Sequence, residues 1–282
     1  MTNAGRRRIT SRIAETFCAL AVVLALIPLA LILFYVFSKG AGALNFAFFT
    51  HTPRPVGEAG GGMANAIVGT LILIGLAALF AVPIGLICGV HLAEYRDSKF
   101  ASTVRFAADV LNGVPSIVVG IFAYSIAVLP VKRFSAVAGG LALGILMIPI
   151  VVRTTEELLR LVPGGLREGA LALGATRSRA VLTVILPAAL PGILTGILVA
   201  LARVAGETAP LLFTSFNSPY WSTNIFQPMA SLTYQVWTYA QSPYDDWHRQ
   251  AWAGAFLLVI IILTLSIVAR LAVRRLERMN RP

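Results

Sequence analysis

Long uncharged stretches alternate with shorter charged ones along the chain, and this pattern predicts helices that cross a membrane. An α-helix rises ~1.5 Å per residue, so about 20 apolar residues span the ~30 Å hydrocarbon core of a bilayer. We therefore predict an all-α membrane domain over residues 17–272, flanked by basic tails at 1–16 and 273–282. Its six predicted membrane spans cover residues 17–37, 66–90, 110–130, 136–152, 185–207 and 251–270.

The first apolar stretch has an alternative interpretation as a cleaved signal peptide, because Ala41-Gly42-Ala43 looks like a cleavage site. The uncharged run from Thr16 to Ser38 is, however, longer than the ~7–15 apolar residues of a signal peptide. We therefore favour a retained first helix.

The region 208–250 is nearly uncharged but does not have the pattern of a seventh simple span. Several prolines interrupt it, and Trp and Tyr residues cluster within it. Aromatic residues of this kind concentrate at membrane interfaces. We predict a loop with short interfacial or re-entrant helices on the outer side of the membrane.

The composition excludes an ordinary soluble protein. Hydrophobic residues make up 57% of the chain, charged residues only 12%, and the mean hydropathy is +0.81, whereas globular proteins carry about 25% charged residues. The net charge of +11 would suggest a nucleic-acid partner in a soluble chain. In a membrane protein, what matters is on which side of the bilayer the basic residues lie. We expect a lipid bilayer around this chain and no nucleic acid.

Lys and Arg are distributed very unequally between the two sides of the predicted spans. One side carries seventeen of them, namely Arg6, Arg7, Arg8, Arg12, Arg96, Lys99, Arg105, Arg153, Arg160, Arg167, Arg177, Arg179, Arg270, Arg274, Arg275, Arg278 and Arg281. The other side carries five, namely Lys39, Arg54, Lys132, Arg133 and Arg249. Basic residues are retained on the cytoplasmic side, so both termini and the loop after the fourth span are predicted to be cytoplasmic.

No motif for catalysis, metal binding or nucleotide binding is evident in the sequence. Cys18 and Cys88 have no metal-ligand spacing, and the three histidines, His51, His91 and His248, form no ligand motif. The glycine-rich run at 60–62 lacks the Gly-Lys-Ser/Thr ending of a phosphate-binding loop. Paired carboxylates or a nucleophile with a histidine base are not apparent either. We expect a protein that is not an enzyme and needs no cofactor.

Arg203 and Glu207 are the charged residues within the predicted fifth span. Four residues apart on a helix, they would face each other across one turn. A charge at bilayer depth costs ~2.5–3.5 kcal/mol on insertion scales, so it marks a functional candidate. The planar guanidinium of arginine suits an oxyanion because it donates two parallel hydrogen bonds. The alternative is a structural ion pair near the outer interface.

The segment 163–187 mixes charges, small residues and helix-breaking residues between two apolar spans. Pro163, Gly164 and Gly165 interrupt any preceding helix, and a short helix is predicted from Leu166 to about Leu173, ending before Gly174. The small residues would let another protein approach its backbone closely. An ordinary connecting loop is the alternative.

This segment resembles the EAA motif of the ABC importer permeases. The residues that carry the resemblance are Glu168, Gly169, Ala170, Gly174, Val184, Leu186 and Pro187. Gly169 stands where the family usually has Ala, and Val184 where it has Ile. The resemblance implies a cytoplasmic coupling helix that docks into a groove on an ATPase subunit. The candidate docking residues are Glu168, Gly169, Ala170, Gly174, Ala175, Leu186 and Pro187.

Four further stretches are similar to the PstA-type permeases of phosphate importers. They cover residues 60–95, 111–122, 202–212 and 251–271. With the EAA segment, the resemblance extends over nearly all of the chain from residue 60 to residue 271. It implies a six-span permease of the type I ABC importer fold, which moves inorganic phosphate. The residues placed on the substrate pathway are Arg203, Glu207, Thr208 and Ser116.

The same resemblance implies a set of partners and a location. The partners would be a second permease subunit, two ATPase subunits and an extracytoplasmic phosphate-binding protein. The location would be the bacterial inner membrane, with several spans and both termini in the cytoplasm. A permease for sulfate, molybdate or phosphonate is an alternative, and a stand-alone channel or secondary transporter is another.

Overall fold

The computed structural model describes residues 3–55, 58 and 60–279. The ends of the two predicted tails, residues 1–2 and 280–282 with Arg281, lie outside the described residues. The described helices are α1 (Asn3–Gly40), α2 (Phe46–Thr50), α3 (Ala64–Glu94), α4 (Lys99–Gly113), α5 (Ser116–Ala123), α6 (Ala136–Leu161), α7 (Gly164–Ala172), α8 (Arg177–Ala180), α9 (Leu186–Ala205), α10 (Ala209–Thr214), α11 (Leu232–Ala240) and α12 (Asp245–Met279).

The all-α prediction is confirmed for the described part of the chain, where every regular element is helical. Five helical stretches there are long and apolar enough to cross a membrane. They are Ser11–Ala43, Ala64–Glu94, Ala136–Leu161, Arg177–Ala205 and Asp245–Val268. A sixth is obtained if α4 and the helix after it form one broken span.

The third span, predicted as one helix over 110–130, is divided into two helices that meet at 107°. Pro115 lies at the break, with Val114 before it in an extended conformation (φ −72°, ψ 130°). A proline fixes its own φ, has no N–H to donate, and forces the preceding residue out of the helical region. The helix therefore ends at Gly113 and a new one begins at Ser116 in a different direction.

Helices α3 and α6 run parallel and pack closely along most of their length. A Cβ added to Gly140 would lie 2.4 Å from Leu76 Cβ, and one added to Gly89 would lie 2.5 Å from Thr155 Cβ. Only glycine permits so close an approach, and small residues are typical of helix contacts in membranes. One contact lies in the first half of both helices and the other near their ends, so α3 and α6 are packed together along their length.

The main core lies between α3, α6 and α9. Its largest fully buried side chains include Leu73 and Leu143, Met147, Ile185 and Ile193. Helix α1 instead contacts α12 near its C-terminal end, where Tyr35 and Trp252 form an edge-to-face ring contact. Between Ile13 and Phe34, α1 leaves a long apolar surface exposed.

The two ends of the bundle differ in chemistry. We call the end that holds α4, the C-terminus of α3 and residues 153–187 the basic end, and the end that holds residues 41–62, 131–135 and 208–244 the opposite end. At the opposite end, the region 208–250 contains the short helices α10 and α11, as its prolines and aromatic residues predict. The Ser135 N–H donates to the Thr214 carbonyl at 3.1 Å, which ties this region to the start of α6.

Candidate functional site

The short helix predicted from Leu166 is present as α7 and begins two residues earlier, at Gly164. It ends in a hydrogen-bonded turn in which Gly174 N–H donates to Leu171 O at 2.9 Å and Ala175 N–H donates to Ala170 O at 3.1 Å. This is a Schellman motif, which needs a residue in the left-handed region after the helix. Gly174 has φ +83° and fills that position without strain. The C-terminus of α7 is therefore fixed by local chemistry.

The predicted docking residues divide between an open and a covered side of this segment. Glu168, Gly169 and Gly174 are exposed, and a Cβ added to either glycine would meet nothing within 4 Å. Ala170 and Ala175 are half-buried. Beside the glycines, Leu173 is 91% exposed. This exposed apolar side chain lies next to small residues and a glutamate. Together they form a surface to which a partner protein can bind.

Leu186 and Pro187 begin α9, directly after a π-helical turn over Val181–Ile185. The Leu186 N–H donates to the Val181 carbonyl, five residues back, instead of four. Pro187 contributes no N–H to the helix, so the regular ladder is interrupted at this point. Leu186 is half-buried and Pro187 exposed. Wide turns of this kind often mark functional positions in helices, and this one joins α7 and α8 to the long helix α9.

Glu94, at the end of α3, holds two arginines of the segment 163–187. Arg167 Nη1 and Nη2 donate to the two carboxylate oxygens at 2.6 and 2.5 Å. Arg177 donates through Nε to the same carboxylate at 3.1 Å and through Nη2 to the Glu94 carbonyl at 2.5 Å. The Glu94 side chain is only 7% exposed. We call these three residues the Glu94 cluster.

Glu156 on α6 is the centre of a second cluster at the basic end. Its side chain is 1% exposed and accepts from Arg105 Nε at 2.5 Å, from Arg153 Nη1 at 3.2 Å and from Arg160 Nη2. Arg153 also donates two hydrogen bonds to Asp109 on α4. These bonds join α4 to α6. We call Glu156 and its three arginines the Glu156 cluster.

The expected pairing of Arg203 with Glu207 is wrong. Helix α9 ends at Ala205 with Gly206 as its cap, so Glu207 lies beyond the helix and not one turn above Arg203. No ion pair joins the two, and within the part of the chain that the structure describes the Arg203 side chain has no hydrogen-bonding partner. The Glu207 carbonyl accepts from Thr233 Oγ1 at 3.0 Å, while its half-buried carboxylate stays unpaired among these residues.

Arg203 is exposed on the face of α9 that the other described helices leave uncovered. Ile193, Ile197 and Val204 face the core, whereas Val199, one turn before Arg203, is 61% exposed. A guanidinium in the last turn of a helix interacts favourably with the helix dipole. The arginine is therefore reachable and available to another group.

Ser116 and Thr208 begin two helices that pack against each other. Ser116 is the first residue of α5, and Thr208 directly precedes α10. A Cβ added to Gly120 would lie 2.7 Å from Pro210 Cα, so the two helices touch at this point. Both predicted residues are half-buried. Thr208 is five residues from Arg203 in the sequence. The structure adds that Ser116 begins the helix that packs against α10, which directly follows Thr208.

Aromatic side chains cover the opposite end near α10 and α11. Phe216 stacks on Phe134 with ring centres 4.9 Å apart and contacts Tyr234, which contacts Trp237 in turn. Burial raises the pKa of the Tyr234 phenol, so this hydroxyl stays neutral around neutral pH. Among the described residues, no three His, Cys, Asp or Glu side chains are grouped so that they could hold a metal ion.

Sequence reasoning counted the basic residues of both clusters but missed the two glutamates that organise them. The partners of Glu94 are 73 and 83 residues away, so no local spacing reveals them. For Glu156 a signal existed, because Arg153 and Arg160 lie three and four residues from it on one helix face. Arg105, 51 residues away, could not be found in this way.

Comparison with known proteins agrees with the architecture. The family described as binding-protein-dependent transport system inner membrane component matches residues 81–281. A solved structure of the MetNI methionine ABC transporter in an inward-facing conformation matches with a TM-score of 0.64 and 22% identity, over 76% of this chain and 97% of that one. An amino acid ABC transporter crystallised with histidines matches with a TM-score of 0.53 and 22% identity, over 74% and 92% of the two chains. At this identity the structures show a shared fold.

Two curated relatives are much more similar in sequence. The phosphate transport system permease protein PstA of Yersinia pestis is 46% identical over 265 residues, which are 94% of this chain and 90% of the relative. The PstA protein of Pasteurella multocida is 43% identical over 267 residues, or 94% and 95% of the two chains. The chain therefore belongs to the binding-protein-dependent transport inner membrane components, and within them to the PstA family of permease proteins.

Proposed function

We propose that this chain is the permease subunit of an ATP-driven importer of inorganic phosphate and forms half of its translocation pathway. The relatives named above are phosphate transport permeases at 43–46% identity over nearly the whole chain. The observation that carries the proposal for this chain's own residues is Arg203, an exposed arginine with no partner among the described residues, on a helix long and apolar enough to span a membrane. A charge in that position is costly unless it serves a polar path.

Arg203 lies sixteen residues after Pro187, or ~24 Å along the helix, and so belongs to the outer part of the path. Phosphate oxygens would accept two hydrogen bonds from its guanidinium, which binds oxyanions in a fixed geometry. Thr208, five residues after Arg203, would offer a hydroxyl group, as would Ser116 on the helix that packs against α10. Glu207 is not paired with Arg203, and its carboxylate would weaken binding by repelling the anion, since conduction needs binding that is also readily released.

The pathway is completed by a second permease subunit, and energy enters from two ATPase subunits bound at the basic end. The exposed surface of α7, with Glu168 and Gly169 at its centre, is the surface on which an ATPase docks. An extracytoplasmic phosphate-binding protein delivers the anion at the opposite end. From the excess of Lys and Arg at the basic end we infer that this end and both termini are cytoplasmic.

Uptake by the reconstituted complex tests the proposed function. Vesicles that contain this chain with its permease partner and ATPases, supplied with the binding protein and ATP inside the vesicles, should accumulate phosphate. Sulfate and molybdate at equal concentration should not be taken up and should not compete. Uptake of either in place of phosphate, or uptake that does not need ATP, would contradict the proposal.

A series of substitutions at Gly169 tests the docking surface. Replacement by Ala should preserve uptake, because it fits the open helix surface and improves helix propensity by about 0.5–1 kcal/mol. Replacement by Trp should reduce retention of the ATPase by at least about tenfold, since loss of ~1.4 kcal/mol of binding has that effect. The fold should survive both changes because, apart from its chain neighbours and the backbone of its own helix, no atom lies within 4 Å of the new Cβ.

The measurement is the amount of ATPase that co-purifies with each variant, together with phosphate uptake. Gly75 provides a control, since it is also helical, exposed and open within 4 Å, but it lies within the predicted membrane span. Its replacement by Trp should leave ATPase retention unchanged. Equal retention by the Trp variants of Gly169 and Gly75 would remove α7 from the interface.

A further inference from the structure

The segment that carries α7 is attached to the membrane helices at three places. Two are covalent, namely the short extended link from the end of α6 at Leu161 and the continuation into α9 through the π-helical turn. The third is the Glu94 cluster, which holds Arg167 of α7 and Arg177 of α8 to the end of α3. Both covalent links pass through irregular backbone, whereas the Glu94 cluster consists of charge-assisted hydrogen bonds around a carboxylate that is 7% exposed. Such bonds are roughly twice as strong as neutral ones.

The end of α3 is also joined to the Glu156 cluster. Arg105 donates to the carbonyls of Leu92 at 3.1 Å and Arg96 at 3.0 Å, on either side of Glu94. Its Nε donates to Glu156 on α6 at 2.5 Å. A continuous set of polar contacts therefore runs from α7 through the end of α3 to α6. Since α3 and α6 are packed along their length with glycine contacts, a displacement of the α3 terminus moves them together.

Arg177 is held in a third way, because its guanidinium lies over the Tyr95 ring, 5.0 Å from the ring centre. A cation over an aromatic face is attracted to it. Arg177 thus contacts both Glu94 and the residue after it. Two arginines on successive helices of the segment are therefore bound to Glu94, and Arg177 also contacts Tyr95, the residue that follows α3.

We propose that Glu94 is a positioning residue that transmits displacement of the coupling helix α7 to the α3–α6 pair, so that ATP hydrolysis is converted into opening of the pathway. This inference rests on the proposed function and names the contact through which the ATPase acts. Glu94 touches neither substrate nor nucleotide. Its carboxylate keeps α7 and α3 moving as one unit, while α9 is free to bend at its π-helical turn.

The test is Glu94→Gln in the complete complex reconstituted in vesicles, with phosphate uptake and ATP hydrolysis measured on the same preparation. Glutamine has the same shape but no charge and only one acceptor oxygen, so the two arginines lose the negative charge that they share. We expect the amount of phosphate moved per ATP to fall by about tenfold, within the range of coupling between distant sites. ATPase co-purification should be unchanged because the exposed surface of α7 is untouched. Glu94→Asp should recover part of the loss.

Two further variants separate coupling from stability. Glu157→Gln is the matched control, because Glu157 is an exposed glutamate at the same end for which no ion pair is found among the described residues. The ratio of phosphate moved to ATP hydrolysed should be the same in this variant as in the wild type. Arg167→Gln should lower the ratio as Glu94→Gln does. Glu94→Gln combined with Arg167→Gln should lower this ratio no further than the more strongly affected single variant does, since the effects of residues that act as a unit are not additive.

The outcomes distinguish the two proposals. Uptake and hydrolysis that fall together in Glu94→Gln, with an unchanged ratio, would mean that Glu94 only stabilises the fold, and the inference would be overturned. A double variant whose loss is the product of the two single losses would overturn it as well. A wild-type complex that hydrolyses ATP but moves no phosphate would overturn the proposed function, and the inference with it.

Discussion

Replacing Arg203 by glutamine is expected to abolish phosphate uptake while the chain remains folded and assembled. Its side chain is exposed and has no partner among the described residues, so the fold loses no contact. Surface substitutions of this kind change stability by only about 0.5 kcal/mol. A hydrogen bond to a charged group contributes about 1.5–3 kcal/mol, and an arginine can donate two to one phosphate. Loss of both should slow uptake by at least about a hundredfold.

Three measurements isolate the role of Arg203. Arg203→Lys keeps the charge but not the planar fork, so its uptake should lie between the wild type and Arg203→Gln. Arg133→Gln removes an exposed arginine from the opposite end of the bundle and should leave uptake unchanged. Co-purification of all partners should be the same for each variant. If Arg203→Gln and Arg133→Gln transport equally well, Arg203 is not on the pathway.

The architecture was predictable because the membrane restricts the choices. Uncharged runs of about 20 residues can only be helices in a bilayer, and the short helix α7 has clear start and stop residues. Gly174 illustrates this, since its φ of +83° is the conformation that glycine after a helix predicts. Local chemistry was sufficient wherever the determinant lay within a few residues.

Predictions that depended on a helix continuing were less accurate. The third span was expected to pass through Pro115, but the chain turns there by 107°. The fifth was expected to continue to Glu207, but it ends at Ala205 before Gly206. Pro115 in the third span and Gly206 in the fifth signalled the ends of these helices, but the bounds of the predicted spans followed hydropathy instead. An uncharged run specifies that a segment lies in the membrane, and not that it is straight.

The two glutamates that organise the basic end show what sequence alone could not provide. Glu94 and Glu156 each have partners on helices more than 50 residues away. Their positions follow from how α3, α4 and α6 pack, which no local pattern encodes. The positive-inside rule explains why arginines concentrate at this end. It does not indicate that they also hold the helices together through buried carboxylates.

Replacing Glu156 by glutamine is expected to destabilise the protein strongly. The carboxylate is 1% exposed and is shared by three arginines, which would be left without their common negative charge. Removing one partner of a buried ion pair costs about 3–5 kcal/mol. Since the three arginines are 20–35% exposed and water can reach them in part, we expect the lower end of this range, about 3 kcal/mol. The thermal unfolding midpoint of the purified protein should fall by about 6–12 °C.

The neighbouring Glu157 provides the matched control, because Glu157→Gln changes an exposed carboxylate on the same helix turn. Its unfolding midpoint should stay close to that of the wild type, and equal midpoints for the two variants would contradict the role of Glu156. If the cost arises from uncompensated positive charge, removing one arginine as well should relieve part of it. Arg160 pairs with Glu156 alone among the described residues. Glu156→Gln combined with Arg160→Gln should therefore be less unstable than the sum of the two single variants.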